Sequence, residues 1–256
     1  MKDIKVGLIG ILNQNMEEDF WGTCKKLAEI GYEGLESTRF LLEGDTAKKV
    51  KKIKYLGLQP VTYSTTKKEL QNDIDMVIKK AQNLDAAHIS IWYGPAESRT
   101  QLKKDADVYN RAGKKIKAEG LKLCYHNHEH ELDNFFNGLN ALEILAEYTD
   151  PENLYFELDC GWLTFSQADP IYVLKKLSDR IPAIHLKDLK GTDYSGRDQV
   201  VFSAVGTGIV DIENIVKTAV ESGTEWIVVE QDRVRNLSPL ETVKASYLNM
   251  KEMNIV

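Results

Sequence analysis

The stretch Leu121-Lys-Leu-Cys-Tyr-His-Asn-His-Glu-His-Glu-Leu132 begins as an apolar strand and ends in three histidines and two glutamates. The whole chain has five histidines, so most of its imidazole groups stand at this one strand end. Side chains alternate between the two faces of an extended segment, which places the three histidines on one face and the two glutamates on the other. The stretch therefore predicts a buried strand whose end carries metal-binding and proton-transferring groups.

The chain direction after this strand decides which of these groups meet. A bend after His126 would relax the alternation and allow His128 and Glu131 to converge. The alternative is a polar turn in which the same groups contact only water. Because the groups follow directly on an apolar strand, and because a loop needs no imidazole, we favour a functional site.

Outward from this stretch, short apolar runs alternate eight times with longer segments of helical period. The predicted strands are residues 4–9, 34–37, 58–63, 87–93, 121–126, 154–159, 181–187 and 226–230. The predicted helices are residues 17–30, 46–56, 67–84, 101–119, 139–148, 170–178, 212–222 and 239–250. Eight such pairs predict an α/β fold, a single (β/α)8 TIM barrel domain over residues 1–256. No Gly-x-Gly-x-x-Gly follows the first strand, which argues against a dinucleotide-binding sheet.

Composition and charge exclude several classes of function. The chain of 256 residues is 43% hydrophobic and 28% charged, with a net charge of −6. An acidic chain is a poor partner for nucleic acid. No apolar run is long enough to span a bilayer, and no secretory signal begins the chain, so we expect a cytoplasmic protein with no membrane partner. The three cysteines, Cys24, Cys124 and Cys160, match no CxxC zinc site.

Polar groups follow each of the four later strands. In a barrel the active site lies at the carboxyl ends of the strands, where this sequence places Glu131, Asp159, His185 and Glu230. Removing these groups from water without partners costs several kcal/mol each, and a shared divalent cation would offset that cost. Two glutamates, one aspartate and one histidine suit Mn, Mg, Co or Zn.

Two assignments stay open, namely the ligand from the fifth strand and the role of Glu157. The ligand from the fifth strand is Glu131 or one of its neighbours His126, His128 and Glu129. Glu157 shares a strand face with the predicted aspartate ligand two residues later, so it either enters the site or pairs deeper in the barrel with a lysine. The long connection over residues 188–210, with four glycines, predicts a lid or binding loop.

Five motifs in order along the chain carry a resemblance. They are Tyr125-His-Asn-His-Glu-His-Glu131, Leu158-Asp-Cys-Gly-Trp162, Ile184-His-Leu-Lys-Asp188, Val205-Gly-Thr-Gly-Ile-Val-Asp211 and Trp226-Ile-Val-Val-Glu-Gln-Asp232. The chain resembles the sugar phosphate isomerase/epimerase family with the xylose isomerase-like barrel, which also includes dehydratases and an apurinic endonuclease branch. The resemblance implies one divalent metal held by Glu131, Asp159, His185 and Glu230. The chain departs from those family members that carry a glutamate within strand five, because His126 stands near that position.

The main functional hypothesis is an isomerase or epimerase that acts on a sugar or sugar phosphate through a metal-stabilised enediolate. Glu230 is the first candidate for the base, His128 is the second acid/base group, and Glu131 is a further catalytic candidate. Lys187 is placed to bind a substrate oxygen or phosphate. The other candidate substrate-binding residues fall at strand ends, and they are Glu36, Trp92, Trp162, His126 and Arg233.

Two alternatives to this hypothesis remain. A dehydratase or 3-keto-glycoside lyase would use the same metal-stabilised intermediate, and the histidine-rich fifth strand favours it. A non-catalytic, metal-dependent carbohydrate-binding protein would bind sugar without exchanging substrate hydrogen. The expected partner is a small carbohydrate in each case, and the oligomeric state stays open, with a homo-oligomer as one outcome.

Overall fold

The structure is a computed structural model that describes residues 4–256, and a parallel sheet of nine strands forms its centre. The strands of the chain are β1 (Lys5–Leu8), β2 (Gly34–Leu35), β3 (Gln59–Pro60), β4 (Thr62–Thr65), β5 (His88–Ile91), β6 (Leu123–His126), β7 (Phe135–Phe136), β8 (Leu139–Asn140), β9 (Tyr155–Asp159), β10 (Ala183–Leu186), β11 (Asp188–Leu189), β12 (Phe202–Ser203) and β13 (Trp226–Val229). In the central sheet the order is β3-β2-β1-β13-β10-β9-β6-β5-β4.

The barrel closes through a single bent strand. The two ends of the sheet are β3 and β4, which are consecutive pieces of one segment separated by Val61. The Val61 N–H donates to Leu35 O at 3.0 Å, and Val61 O accepts from Ala87 N–H at 3.0 Å. Counting β3 and β4 as one strand gives eight barrel strands, so the predicted (β/α)8 TIM barrel is confirmed.

Helices connect successive barrel strands and cover the outside of the sheet. They are α1 (Asn13–Ile30), α2 (Thr46–Tyr55), α3 (Lys67–Asn72), α4 (Ile74–Leu84), α5 (Arg99–Ala118), α6 (His130–Asp133), α7 (Ala141–Tyr148), α8 (Cys160–Phe165), α9 (Pro170–Lys176), α10 (Ile212–Glu221) and α11 (Pro239–Glu252). Within residues 4–256, no helix combines the length and the apolar character needed to cross a bilayer.

Capping side chains move several helix boundaries away from the prediction. The single helix predicted over 67–84 is two helices, because the Asp73 carboxylate accepts the Met76 N–H at 3.0 Å and starts α4 anew. The helix predicted from residue 139 begins at Ala141, because Asn140 and Glu143 form a capping box. The connection over 188–210 contains the antiparallel pair β11–β12.

The amino-terminal end of the barrel interior is filled by large side chains packed against glycine. Val61, Ala183, Trp226 and Val228 form a buried cluster there. A Cβ atom added to Gly34 would collide with the Trp226 ring and with Val61. This end is therefore packed core, and the polar groups are left to the opposite end of the strands.

Candidate metal centre and active site

Four donor side chains meet at the carboxyl ends of four neighbouring barrel strands. His126 ends β6, Asp159 ends β9, His185 lies on β10 and Glu230 follows β13. One ligand atom from each lies within 4.8 Å of the others. The strand register explains part of this meeting, because His185 is paired with Asp159 in the sheet. Three of these four residues are ones that the sequence predicted as metal ligands.

The turn after β9 fixes the orientation of Asp159. Its Oδ1 accepts the Trp162 N–H at 2.9 Å and so caps α8. The Asp159 N–H in turn donates to Asn127 Oδ1 at 3.1 Å. The structure shows that one oxygen caps the helix while Oδ2 remains turned toward the cluster.

Two buried atoms of the cluster lack hydrogen-bond partners. In the part of the chain that the structure describes, no group forms a hydrogen bond with His126 Nδ1 or with Asp159 Oδ2. Burial, with a smaller contribution from His185, lowers the pKa of His126 to about 3, so the imidazole is neutral at pH 7. A neutral imidazole and a carboxylate oxygen without a donor are the groups that a divalent ion requires. The donor set of two imidazoles and two carboxylates therefore fits Zn, Mn or Co.

Lys187 is an internal cation beside these donors. Its Nζ lies 2.9 Å from Asp159 Oδ2, 3.2 Å from Glu230 Oε2 and 2.8 Å from Asp232 Oδ2. The first of these contacts is an ion pair whose geometry does not satisfy a hydrogen bond. Nζ also lies 4.8 Å from the centroid of the Trp162 ring. Burial opposes the charged ammonium, but the three carboxylates prevail and raise the pKa of Lys187.

His185 lies between two carboxylates. Its Nδ1 is 2.8 Å from Glu230 Oε2, and its Nε2 is 3.1 Å from Glu36 Oε2. Although burial opposes the charged form, Glu36 and Glu230 raise the pKa of His185 well above its usual value. Glu36, which the sequence predicted as a substrate-binding residue, is 4% exposed and contacts the cluster directly. Ligation of a metal by His185 would replace one of its ring protons.

Beneath the cluster, Glu157 forms a second polar layer across the barrel. Its Oε1 lies 2.7 Å from His88 Nε2 and accepts a hydrogen bond from Thr62 Oγ1 at 3.2 Å. Its Oε2 lies 3.9 Å from both His126 Nδ1 and His185 Nε2. Glu157 thus enters the barrel and pairs with a histidine instead of a lysine. His88 was missed in the sequence, although its place at the start of the predicted fourth strand marks it as a polar group among apolar residues.

Glu131 is not part of the donor cluster. The Tyr125 hydroxyl donates to Glu131 Oε1 at 2.7 Å, and the His128 N–H donates to Oε2 at 2.8 Å. The physical reason is the end of β6 at His126, because α6 then turns Glu131 back against the strand. Glu131 holds the histidine-containing loop, and His126 takes the position among the four donors that the sequence gave to Glu131.

His128 and two aromatic side chains lie along one edge of the cluster. The His128 ring centroid is 4.9 Å from that of His126. Burial and the neighbouring imidazole lower the pKa of His128 to about 3, and no group in residues 4–256 forms a hydrogen bond with its Nδ1. Tyr93 lies 6.1 Å from the His128 ring, and the half-exposed Trp92 lies 5.7 Å from Tyr93.

Two other predicted substrate-binding residues support loops. Trp162 is buried, with its ring 5.6 Å from those of Phe165 and Phe202. One guanidinium nitrogen of Arg233 donates to Arg197 O at 2.6 Å and to Val200 O at 3.3 Å. These contacts tie the connection between β10 and α10 to the end of β13, and they orient Arg233 toward the loop backbone.

Comparisons with known proteins agree with this fold. A model of the xylose isomerase-like TIM barrel family matches residues 24–253. An inosose dehydratase of Clostridium tetani (strain Massachusetts / E88) is 32% identical over 161 residues, which are 57% of this chain and 53% of the relative. Inosose dehydratase 2 of Bacillus cereus (strain ZK / E33L) is 30% identical over 151 residues, covering 54% and 50% of the two chains. The chain spans about half the length of the curated relatives it matches.

Solved structures show the same fold. A sugar phosphate isomerase/epimerase from Parabacteroides distasonis ATCC 8503 superposes with a TM-score of 0.78 at 23% identity, covering 98% of this chain and 97% of that one. The IOLI protein with a bound zinc atom superposes with a TM-score of 0.73 at 15% identity, covering 98% of each chain. At these identities the likeness establishes the barrel alone.

Proposed function

The chain belongs to the xylose isomerase-like TIM barrel family, and from that premise we propose that it is a divalent-metal-dependent dehydratase of a small polyhydroxylated carbonyl compound. The observation that carries the proposal is the meeting of His126, Asp159, His185 and Glu230 at one end of the barrel. The curated relatives that match the chain are named inosose dehydratases. They favour elimination of water over the isomerase or epimerase reaction that was our main hypothesis from the sequence.

The four donors are the residues that would hold the metal, with Zn, Mn or Co as the ions that suit them. Bound there, a divalent ion supplies Lewis-acid polarisation of a carbonyl group. The zinc atom of the structurally similar IOLI protein supports a metal in this type of barrel. Five carboxylates surround the site, and they are Asp159, Glu230, Asp232, Glu36 and Glu157. The basic groups beside them are Lys187 and His185, so carboxylates outnumber basic groups around the site.

We assign the proton transfer to His128 in preference to Glu230. Glu230 Oε2 already contacts His185 Nδ1 and Lys187 Nζ, whereas His128 Nδ1 has no partner among the described residues. His128 takes the proton from the carbon next to the carbonyl and returns it to the hydroxyl leaving from the following carbon. The substrate thereby loses one water and gains one carbon–carbon double bond, with no oxidation or reduction.

Lys187 serves the donors in this proposal and does not bind the substrate. Lys187 is buried, and its Nζ lies within 3.2 Å of three carboxylates that already neutralise its charge. Its contact with Asp159 and Glu230 holds both carboxylates at the carboxyl ends of their strands. Trp162 supports the ammonium from below through its ring face.

The test is a reaction in deuterium oxide. Protein loaded with Zn, Mn or Co is incubated with a cyclic polyhydroxylated ketone of the inosose type, and products are followed by NMR and mass spectrometry. We expect loss of one water from the substrate and no reaction after metal removal with EDTA. We expect His128→Ala to lower kcat by about 10²- to 10⁴-fold while retaining one metal per chain.

The other outcomes separate the remaining hypotheses. Incorporation of deuterium without loss of water would identify an isomerase or epimerase. Saturable binding with neither exchange nor water loss, with metal present, would identify a carbohydrate-binding protein. Asn72→Ala provides a control variant, because Asn72 is exposed on α3, which is one of the outer helices away from the cluster.

A further inference from the structure

A cavity of about 230 Å³, lined by both polar and apolar side chains, lies beside the donor cluster on the same face of the barrel. Its lining includes Asn13 at the start of α1, Ser37 after β2 and Ser64 on β4, which are the carboxyl ends of the first three barrel strands. Glu36 also lines the cavity, and its Oε2 contacts His185 Nε2 at 3.1 Å. A ligand held at the cluster can therefore extend into this cavity.

The hydrogen-bonding groups of the cavity are suited to hydroxyl groups. The Ser37 hydroxyl donates to Asn13 Oδ1 at 3.0 Å, which leaves the two amide hydrogens of Asn13 available as donors. Glu36 uses Oε2 on His185, so its Oε1 remains as an acceptor. Ser64 adds an exposed hydroxyl that both donates and accepts. A mixture of donors and acceptors in one cavity matches a polyol, whose hydroxyl groups both donate and accept.

The same cavity is poorly suited to an anion. Arg39 is the one cationic side chain among the described residues that line it, and its guanidinium pairs with Glu17 Oε1 at 3.0 Å. The nearest buried ammonium, Lys187, is surrounded by three carboxylates.

The position where barrels commonly bind phosphate is filled by the protein itself. That position is formed by the loops after the seventh and eighth strands. Here the Gly206 and Gly208 N–H groups donate to Asp188 Oδ2 at 3.0 and 2.7 Å. The Leu189 and Val210 N–H groups donate to Asp188 Oδ1 at 2.8 and 3.2 Å. The buried Asp188 carboxylate thus occupies the backbone donors that would receive a phosphate group.

From these observations we infer that the substrate is an uncharged polyhydroxylated carbonyl compound the size of one sugar ring, and that the cavity of Asn13, Glu36, Ser37 and Ser64 binds its hydroxyl groups remote from the metal. The inference rests on the proposed function and narrows its substrate class. A volume of about 230 Å³ is below the range of about 300–1,000 Å³ that drug-sized ligands occupy. This size favours a single ring over a glycoside.

The test compares neutral and phosphorylated ligands of matched structure. Isothermal titration calorimetry of the metal-loaded protein is carried out with D-fructose and D-fructose 6-phosphate, and with myo-inositol and myo-inositol 1-phosphate. We expect at least one neutral ligand to bind, with its phosphorylated counterpart at least about tenfold weaker, because Arg39 and Lys187 are already paired with carboxylates and the phosphate gains no free cation. Equal or tighter binding of the phosphorylated member, or binding by neither neutral ligand, would overturn the inference.

A variant pair locates the binding in the cavity. Asn13→Ala is expected to weaken the binding affinity for the neutral ligand by about 5- to 10-fold, which is the effect of one lost hydrogen bond. Asn72→Ala is expected to leave the affinity unchanged, and circular dichroism checks that both variants fold. Unchanged affinity in Asn13→Ala would remove the cavity from the site. If neutral ligands bind more tightly than phosphorylated ones but no substrate loses water, the dehydratase proposal is wrong and the substrate class stands. If a phosphorylated substrate loses water, the substrate class is wrong and the dehydratase proposal stands.

Discussion

At the scale of single residues, the carboxylates of the barrel mouth fall into two groups that sequence does not distinguish. Asp188 and Glu131 are each satisfied by donors from the protein, namely four backbone N–H groups in the first case and Tyr125 with a backbone N–H in the second. Asp159 keeps an oxygen without a hydrogen-bond donor. The Lys187 ammonium lies 2.9 Å from that oxygen without forming a hydrogen bond, so the oxygen still has lone pairs for a metal ion. We take this difference to distinguish the proposed ligand Asp159 from carboxylates that position loops.

Metal content tests this separation directly. We expect Asp159→Asn to lose the single metal ion of the purified protein, because the amide offers no charge to a divalent cation. Glu131→Gln is expected to retain the metal, because the residue holds the loop and does not face the donors. Inductively coupled plasma mass spectrometry of both variants measures the outcome. Loss of metal in Glu131→Gln with full occupancy in Asp159→Asn would restore the ligand set predicted from the sequence.

The buried pair of Glu157 and His88 is expected to contribute strongly to stability. Both side chains are 1% exposed, and Glu157 Oε1 lies 2.7 Å from His88 Nε2. Burial opposes ionisation, yet His88 and the neighbouring imidazoles hold the pKa of Glu157 below its usual range. Breaking a buried pair costs about 3–5 kcal/mol, so Glu157→Gln should lower the free energy of unfolding by about that amount. Urea denaturation of the metal-free protein at pH 7 measures it, and a cost below ~1 kcal/mol would contradict the buried pairing.

At the scale of elements, the point at which β6 ends determines the composition of the site. The alternating pattern of residues 121–132 predicts a strand, and β6 is present at Leu123–His126. The pattern could not show that the chain would turn at once into the four residues of α6, because a single helical turn leaves no periodicity to detect. The sequence leaves His126 open as one candidate beside Glu131, and the turn seen in the structure is what places His126 among the four donors.

Helix α7 is attached to α9 through one glutamate, which gives a pH-dependent contribution to stability. Glu143 Oε2 accepts the Asn140 N–H at 3.0 Å, and Oε1 lies 2.7 Å from Lys176 Nζ. Partial burial opposes the shift, but Lys176 and the Asn140 N–H lower the pKa of Glu143 below its ordinary value of 4.5. The stabilisation of the folded protein by the Glu143 contacts is therefore complete above pH 4.5. It is lost as the pH falls through the lower pKa of the folded state.

We expect Glu143→Gln to reduce the free energy of unfolding by about 0.5–1 kcal/mol at pH 7. The deficit should shrink as the pH approaches 4, because the Glu143 carboxylate of the unfolded wild-type chain then binds a proton while that of the folded chain still resists it. Urea denaturation at pH 7 and pH 4 measures both values. In a Lys176→Met background the deficit at pH 7 should be smaller, and an undiminished deficit there would show that Lys176 plays no part.

At the scale of the whole molecule, the barrel and three of the four clustered donors were predictable from local patterns, while the closure of the barrel and the polar layer beneath the donors were not. Eight alternations of apolar runs and helical segments follow from periodicity, which each segment carries by itself. The role of Val61, which bonds to strands on both sides, depends on a bend that apolar residues do not signal. The pairing of His88 with Glu157 joins residues from separate strands, and only the folded barrel brings them into contact.

The filled amino-terminal end of the barrel leads to a final prediction about the stability of the molecule. Gly34 leaves space for the Trp226 ring and the Val61 side chain, and an added Cβ would overlap both. Overpacking of a tight interior costs about 1–3 kcal/mol, so Gly34→Ala should lower the Tm by several degrees, since about 1 kcal/mol shifts the Tm of a chain this size by about 2–4 °C. Gly191→Ala is the matched control, because a Cβ there meets open space. Thermal unfolding followed by circular dichroism compares the two variants, and equal Tm values would show that the interior at Gly34 can relax around a methyl group.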